Sequence, residues 1–212
     1  MSARMLPDGL YAITDSELTP QASLLEQVGQ AIAGGARVIQ FRDKLASDAD
    51  RYALARELAA LCRRRQVPLI INDDAALAAA AGASGVHLGK LDGTVSAARA
   101  QLGRAAIIGV SCYNRVERAR EAVAQGADYV AFGRFFASHS KPDAVPANID
   151  LLYAARRELA VPVVAIGGIT PDNAASLVAA GANLVAVIQG VFGAADIKAA
   201  CAGYARCFAT TN

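Results

Sequence analysis

The run Val163-Val164-Ala165-Ile166, the link Gly167-Gly168-Ile169-Thr170-Pro171 and, after an alanine-rich segment, Gly181-Ala182-Asn183-Leu184-Val185-Ala186-Val187-Ile188-Gln189-Gly190 decide the architecture. Two short apolar runs flank a segment that opens on Thr-Pro and closes on Ala-Gly. Proline suits the first turn of a helix, where its missing N–H would have no partner. Glycine suits the left-handed turn after the last one. The unit therefore predicts strand, helix (171–180) and strand. Residues 173–195 carry no charge over 23 positions, but Gly181, Asn183, Gln189 and Gly190 interrupt them. Together they read as helix, turn, strand and turn, not as a spanning helix.

The same unit recurs in both directions along the chain. Short apolar runs occupy 10–14, 38–42, 69–72, 85–88, 107–111, 129–132, 163–166 and 184–188, eight in all. Runs apolar throughout are expected of parallel strands buried on both faces. Helical stretches between them include 22–33, 49–64, 74–81, 115–125, 150–157 and 171–180. Ala33-Gly34-Gly35, Ala81-Gly82, Gln125-Gly126 and Ala180-Gly181 repeat the glycine turn, and Gly34-Gly35-Ala36, Gly126-Ala127-Asp128 and Gly181-Ala182-Asn183 carry it into the next strand. Eight right-handed βα units in about 210 residues close most naturally into a (β/α)8 TIM barrel with parallel strands. A doubly wound open sheet would place a Gly-x-Gly-x-x-Gly turn after its first strand. Here Thr14 is followed by Asp-Ser-Glu-Leu-Thr-Pro. No linker or composition shift divides the chain, so one domain over 1–212 is expected, with its core at about 9–208.

Composition narrows the function classes. Of the 212 residues, 54% are hydrophobic and 19% charged, which excludes a disordered chain. With 21 basic and 19 acidic residues the net charge is +2, too balanced for a protein that binds nucleic acid by neutralising phosphates. Arg63-Arg64-Arg65 reads as a basic helix end. The cysteines at 62, 112, 201 and 207 form no Cys-x-x-Cys pair and have no nearby histidines, so free thiols in a reducing cytoplasm are expected. The N-terminus lacks the apolar core of a signal peptide. A soluble protein is expected, with neither nucleic acid nor membrane as partner; an alanine-rich, lightly charged outer surface leaves room for a homo-oligomer.

In such a barrel the chemistry sits at the C-terminal strand ends. Strand two ends Gln40-Phe41-Arg42-Asp43-Lys44, and alternation turns Gln40, Arg42 and Lys44 to one side. Two cations and an amide at a barrel mouth suit a diphosphate. Strand three ends Asn72-Asp73-Asp74: Asp74 is placed to cap the next helix, while Asn72 and Asp73 face the site. Strand four ends Val86-His87-Leu88-Gly89, with Asp92 three residues on. Asp73 and Asp92 on adjacent strand ends suit Mg²⁺, which takes one or two carboxylates and rests on substrate phosphates. His87 reads as a packed, hydrogen-bonded histidine and not as a general base. Ser111 closes strand five as a donor to a ligand oxygen. The loop Gly133-Arg134-Phe135-Phe136-Ala137-Ser138-His139-Ser140-Lys141-Pro142 brings two hydroxyls and a lysine together, a phosphate cradle. Gly167-Gly168 and Ile188-Gln189-Gly190 close strands seven and eight, where barrels often hold a ligand phosphate on backbone N–H groups.

Taken together, Gly9-Leu-Tyr-Ala-Ile-Thr-Asp15, Gln40-x-Arg42-x-Lys44, Ile71-Asn72-Asp73, Gly85-Val-His-Leu-Gly-x-x-Asp92, Gly109-Val-Ser111, Gly133-x-x-Phe-x-Ser-x-Ser-Lys141 and Gly167-Gly-Ile-Thr-Pro171 closely resemble the thiamine phosphate synthases, in order and spacing from about Gly9 to Ala194. The resemblance implies a barrel transferase that joins 4-amino-2-methyl-5-hydroxymethylpyrimidine diphosphate to a thiazole phosphate. It would yield thiamine monophosphate and pyrophosphate, with CO₂ when the thiazole arrives carboxylated. It also implies roles: Gln40, Arg42, Lys44, Asn72, Ser111 and Lys141 on the pyrimidine diphosphate; Asp73 and Asp92 on Mg²⁺; Ser138, His139, Ser140, Gly168, Ile188 and Gln189 on the thiazole phosphate. Lys141, Arg42 and Ser111 are its catalytic members. The implied reaction is dissociation of pyrophosphate to a pyrimidine methyl cation that the thiazole nitrogen captures, which needs no general base. Five positions depart from the family pattern. Ser138 and Ser140 stand where threonines are common, Lys90 where glutamine is, Gln189 where serine is frequent and Arg134 where proline is. Two alternatives share the barrel, a thiazole tautomerase and a non-enzymatic precursor-binding protein. The tautomerase is expected to carry a histidine near position 134 and to lose parts of the pyrimidine site, and neither alternative needs the metal carboxylates kept here.

Overall fold

In the computed structural model, which describes residues 6–137 and 145–209, eight parallel strands close in sequence order, each bonded to the next and the eighth to the first. They are β1 (Gly9–Ile13), β2 (Ala36–Phe41), β3 (Leu69–Asn72), β4 (Gly85–Leu88), β5 (Ile107–Tyr113), β6 (Tyr129–Phe132), β7 (Val163–Ile166) and β8 (Leu184–Val187). Between and after them run α1 (Leu24–Ala33), α2 (Asp48–Arg64), α3 (Ala75–Ala81), α4 (Val95–Leu102), α5 (Val116–Ala124), α6 (Asp150–Glu158), α7 (Pro171–Ala179), α8 (Gln189–Phe192) and α9 (Ile197–Ala209). This is the (β/α)8 barrel that the repeated strand–helix pattern predicts. None of the described helices is long and apolar enough to cross a membrane.

Strand alternation produces two apolar layers. Leu10, Ala12, Ile39 and Phe41 face outward against the helices, whereas Tyr11, Ile13 and Val38 face the barrel axis with Ile70, Ile107 and Leu184. Gln40, two residues from Val38, is inward on this count and is 3% exposed. Helix starts use side-chain caps: Asp74 accepts from the Leu77 N–H at 2.8 Å, Ser47 from that of Asp50 and Thr94 from that of Ala97. The glycine turns take the left-handed backbone expected of them, as at Gly82 with φ of 67°.

Several ends differ from the sequence reading. β1 stops at Ile13, but the Thr14 N–H still donates to Gln40 O at 2.9 Å. β2 starts two residues earlier, and β5 continues to Tyr113 past a register irregularity after Ser111. α4, α8 and α9 have no counterpart in the sequence reading; α4 buries only Val95 and Ala98, too few to mark a periodic face.

The strand packing leaves no room at Gly85, where a Cβ would run into the backbone carbonyl of Ile107. Because that obstacle is backbone of the neighbouring strand, Gly85→Ala is expected to cost about 3 kcal/mol and to lower Tm by roughly 10 °C. A thermal melt within a degree or two of the parent would contradict this register.

Candidate active site

A cavity of about 490 Å³ opens among the C-terminal ends of the strands. Of the residues singled out from the sequence, Gln40, Arg42, Lys44, Asn72, Asp73, Asp92, Ser111 and Ile188 line it. Gly168 and Gln189 are not among its lining residues. Gly168 has a φ of 62° and lies so close to the segment after β6 that a Cβ would meet Ala137 O and Phe136 Cβ. It thus serves backbone packing. Ser138, His139, Ser140 and Lys141 lie outside the described residues.

The cationic side of the cavity is built by splicing the loop after β1 to the loop after β2. Thr14 Oγ1 accepts from the Arg42 N–H at 2.9 Å, and Ser16 Oγ accepts from the Lys44 N–H at 2.9 Å. Asp15 then takes the Arg42 guanidinium at 2.8 Å. Asp43 anchors the splice. Burial works against its charge, yet the Ala46 and Leu45 amides and the Ser16 hydroxyl outweigh that and hold its carboxyl below the usual range. The Thr14-Asp15 pair thus explains part of the Gly9–Asp15 motif.

Across the mouth stand two carboxylates. Asp73 adopts a left-handed backbone with φ of 65°, and its N–H donates to His87 O at 2.8 Å. Asp92 folds back so that its Oδ2 accepts from the Gly89 N–H at 2.8 Å. A side chain at Gly89 would collide with that carboxylate. Burial raises the Asp73 pKa first, and contact with Asp92 raises it further, against Asn72 and Lys44. A close pair of half-dry carboxylates is unfavourable alone and is relieved by a divalent cation. Among the described residues no group of three or more His, Cys, Asp or Glu could hold a metal. Two carboxylates facing a cavity with room for water and phosphate fit Mg²⁺ and not a tight protein cage.

The floor holds residues the sequence reading did not assign to the site. Tyr11, Tyr129 and His87 line the cavity with Gln40 and Ser111 and are hydrogen-bonded to one another. His87 is hydrogen-bonded, as expected, through both ring nitrogens. Tyrosines inside apolar strands look like core. Gly109 was the available signal: a glycine within a strand marks a close approach, and here its missing Cβ makes room for the Tyr129 ring. Arg118 is another unassigned residue. It donates from Nε to Ser111 O at 2.8 Å and packs over the Tyr113 ring at 5.7 Å, bracing the end of β5. Lys90 and Arg134, two of the departures from the family pattern, both line the cavity.

Comparison with known proteins gives the family. A family model described as thiamine monophosphate synthase matches residues 10–191. The thiamine-phosphate synthase of Nitrosococcus oceani is 52% identical over 204 residues, covering 96% of this chain and 94% of its own. That of Thiobacillus denitrificans is 51% identical over 206 residues, 97% of each. The solved thiamine phosphate pyrophosphorylase from Pyrococcus furiosus superposes with a TM-score of 0.85 at 35% identity, covering 94% of both chains. On the strength of a match that runs through every strand and relatives alike over nearly their whole length, the chain belongs to the thiamine monophosphate synthase family.

Proposed function

We propose that this transferase of thiamine biosynthesis joins 4-amino-2-methyl-5-hydroxymethylpyrimidine diphosphate to a thiazole phosphate, releasing pyrophosphate, and also accepts the carboxylated thiazole with loss of CO₂. The observation that carries the reading is the meeting of two cations, Arg42 and Lys44, with the Asp73–Asp92 pair at one cavity mouth. A diphosphate needs that combination, whereas an isomerase acting on a monophosphate does not. Asp73 and Asp92 would hold Mg²⁺, which when bound supplies positive charge to the diphosphate.

The chain's own residues do the rest. Arg42 and Lys44 draw the diphosphate to the β2 end and stabilise the negative charge that grows as the bond from the methylene carbon to the bridging oxygen breaks. The electron pair leaves with pyrophosphate. The thiazole nitrogen supplies the pair for the new C–N bond. The apolar walls around Ile13, Val164 and Ile188 keep water from the cationic carbon. No protein group need remove a proton. By family resemblance Lys141 would meet the leaving oxygen, and Ser138, His139, Ser140, Gly168, Ile188 and Gln189 would hold the thiazole phosphate. The four cysteines, all unpaired, suit a reducing cytoplasm. A thiazole tautomerase is the less favoured reading, because relatives about half identical to this chain bear the synthase name and the metal carboxylates are kept.

Separate titrations of the two substrates test the division of the site. Arg42→Ala is expected to weaken pyrimidine diphosphate binding about a hundredfold, as for a charge-assisted contact of roughly 3 kcal/mol. Thiazole phosphate affinity should stay within about twofold, since that phosphate is assigned to other strand ends. Equal losses for both would refute the assignment.

A further inference from the structure

Five polar side chains on the cavity floor are joined end to end across the barrel. Gln40 Nε2 donates to the Tyr11 hydroxyl at 2.8 Å, and the Tyr11 and Tyr129 hydroxyls lie 2.9 Å apart. The Tyr129 hydroxyl is 2.9 Å from His87 Nδ1, and His87 Nε2 is 2.9 Å from Ser111 Oγ. We propose that Tyr11, Tyr129 and His87 are positioning residues that lock Gln40 and Ser111 into opposite hydrogen-bonding roles, so that the floor selects an aminopyrimidine ring and not merely its diphosphate. This rests on the substrate reading given above.

Each phenol has one proton to give and can also accept. With a Gln40 N–H directed at Tyr11, the Tyr11 proton goes to Tyr129 and the Tyr129 proton to His87 Nδ1. With the imidazole neutral, its proton then sits on Nε2 and is given to Ser111 Oγ. The Ser111 proton is left for a ligand, and Gln40 Oε1, turned away from Tyr11, accepts from one. Running the bonds the other way with Gln40 unmoved would leave the Tyr11 proton without an acceptor among the described residues, in a side chain 1% exposed. Such a buried, unmade bond is strongly disfavoured. Turning the Gln40 amide over reverses every bond at once, and then Gln40 donates while Ser111 accepts. In either setting the two ends are opposite in kind. Burial raises both tyrosine pKa values far above the ordinary range, so neither phenol gives up its proton and breaks the series.

An aminopyrimidine is a cyclic amidine. Its amine is a donor and its ring nitrogens are acceptors, matching one end of the series and then the other. Pyrophosphate offers acceptors only and draws nothing from the pairing. Tyr129 also stacks on His87 at 5.6 Å and meets the Tyr11 ring edge at 6.0 Å, which fixes the three rings against one another.

Tyr11→Phe and Tyr129→Phe each delete one hydroxyl and keep the ring. Wild type and both variants are titrated with the pyrimidine diphosphate and with inorganic pyrophosphate, both with Mg²⁺. The pyrimidine compound is expected to bind each variant about tenfold more weakly, the effect of one buried hydrogen bond. Pyrophosphate affinity and the KM for thiazole phosphate should stay within about twofold. Pyrimidine affinity unchanged in either folded variant, or pyrophosphate weakened as much, overturns the proposal. Should one variant fail to fold, the other decides. Nitrogen-15 shifts of wild-type His87 give a reading without mutation: one fixed tautomer is expected, and two tautomers in exchange would contradict the series. If wild type binds the pyrimidine compound no more tightly than pyrophosphate, the substrate reading falls and the proposal with it. If wild type discriminates and the variants do so equally well, the proposal alone falls.

Discussion

Asp92→Asn is expected to lose most activity at low Mg²⁺ while leaving the fold as stable as before or more so. The Asp92 carboxylate lies against that of Asp73, and burial and mutual repulsion together raise the Asp73 pKa. Removing one negative charge relieves the repulsion. An asparagine oxygen in the same place still accepts from the Gly89 N–H, so the turn after β4 is kept. Tm should therefore hold or rise by a few degrees, on the order of 1 kcal/mol. Cation affinity should drop, since one carboxylate replaces two, and the Mg²⁺ concentration for half-maximal rate should rise at least about tenfold, as for loss of a charged ligand. Chelation should abolish turnover in the parent and Mg²⁺ should restore it. Full activity in excess EDTA, or a variant with unchanged Mg²⁺ demand, would remove the metal from these two residues. A fall in both activity and Tm would instead make Asp92 structural.

Lys141→Ala is expected to lower kcat about a hundredfold with little change in KM, as for loss of roughly 3 kcal/mol of transition-state stabilisation. If the bond to pyrophosphate breaks before the new bond forms, charge builds on the departing bridging oxygen. A lysine that meets this charge assists the transition state more than the bound substrate. Ser138→Ala should act instead on thiazole phosphate affinity, because that phosphate keeps its charge throughout. Steady-state kinetics of the two variants separate the roles. A higher KM for the pyrimidine substrate at unchanged kcat would reduce Lys141 to a binding residue.

The barrel was legible because its strands are short apolar runs buried on both faces, a pattern that needs no partner to be seen. Strands β3, β4, β6 and β7 match the sequence reading residue for residue. The ends of β1, β2 and β5 do not, since side chains and register irregularities set them. Thr14 continues the ladder outside β1 through its hydroxyl, and β5 slips in register after Ser111. Charged residues at strand ends were legible for the opposite reason: Arg42, Lys44, Asp73 and Asp92 are costly near a core without a ligand. The polar floor was hidden, because a tyrosine in an apolar strand reads as packing until its hydroxyl is seen to meet another. Asp15 was legible only as part of a motif, and its pairing with Arg42 depends on two loops meeting in space.

The proposed reaction makes a C–N bond at this barrel mouth as pyrophosphate leaves. The direct measurement supplies the pyrimidine diphosphate, the thiazole phosphate and Mg²⁺, and follows thiamine phosphate and pyrophosphate together. Equal amounts of both products, formed only when both substrates are present, are predicted. Isomerisation of the carboxylated thiazole alone, or pyrophosphate released with no thiamine phosphate formed, would contradict the account.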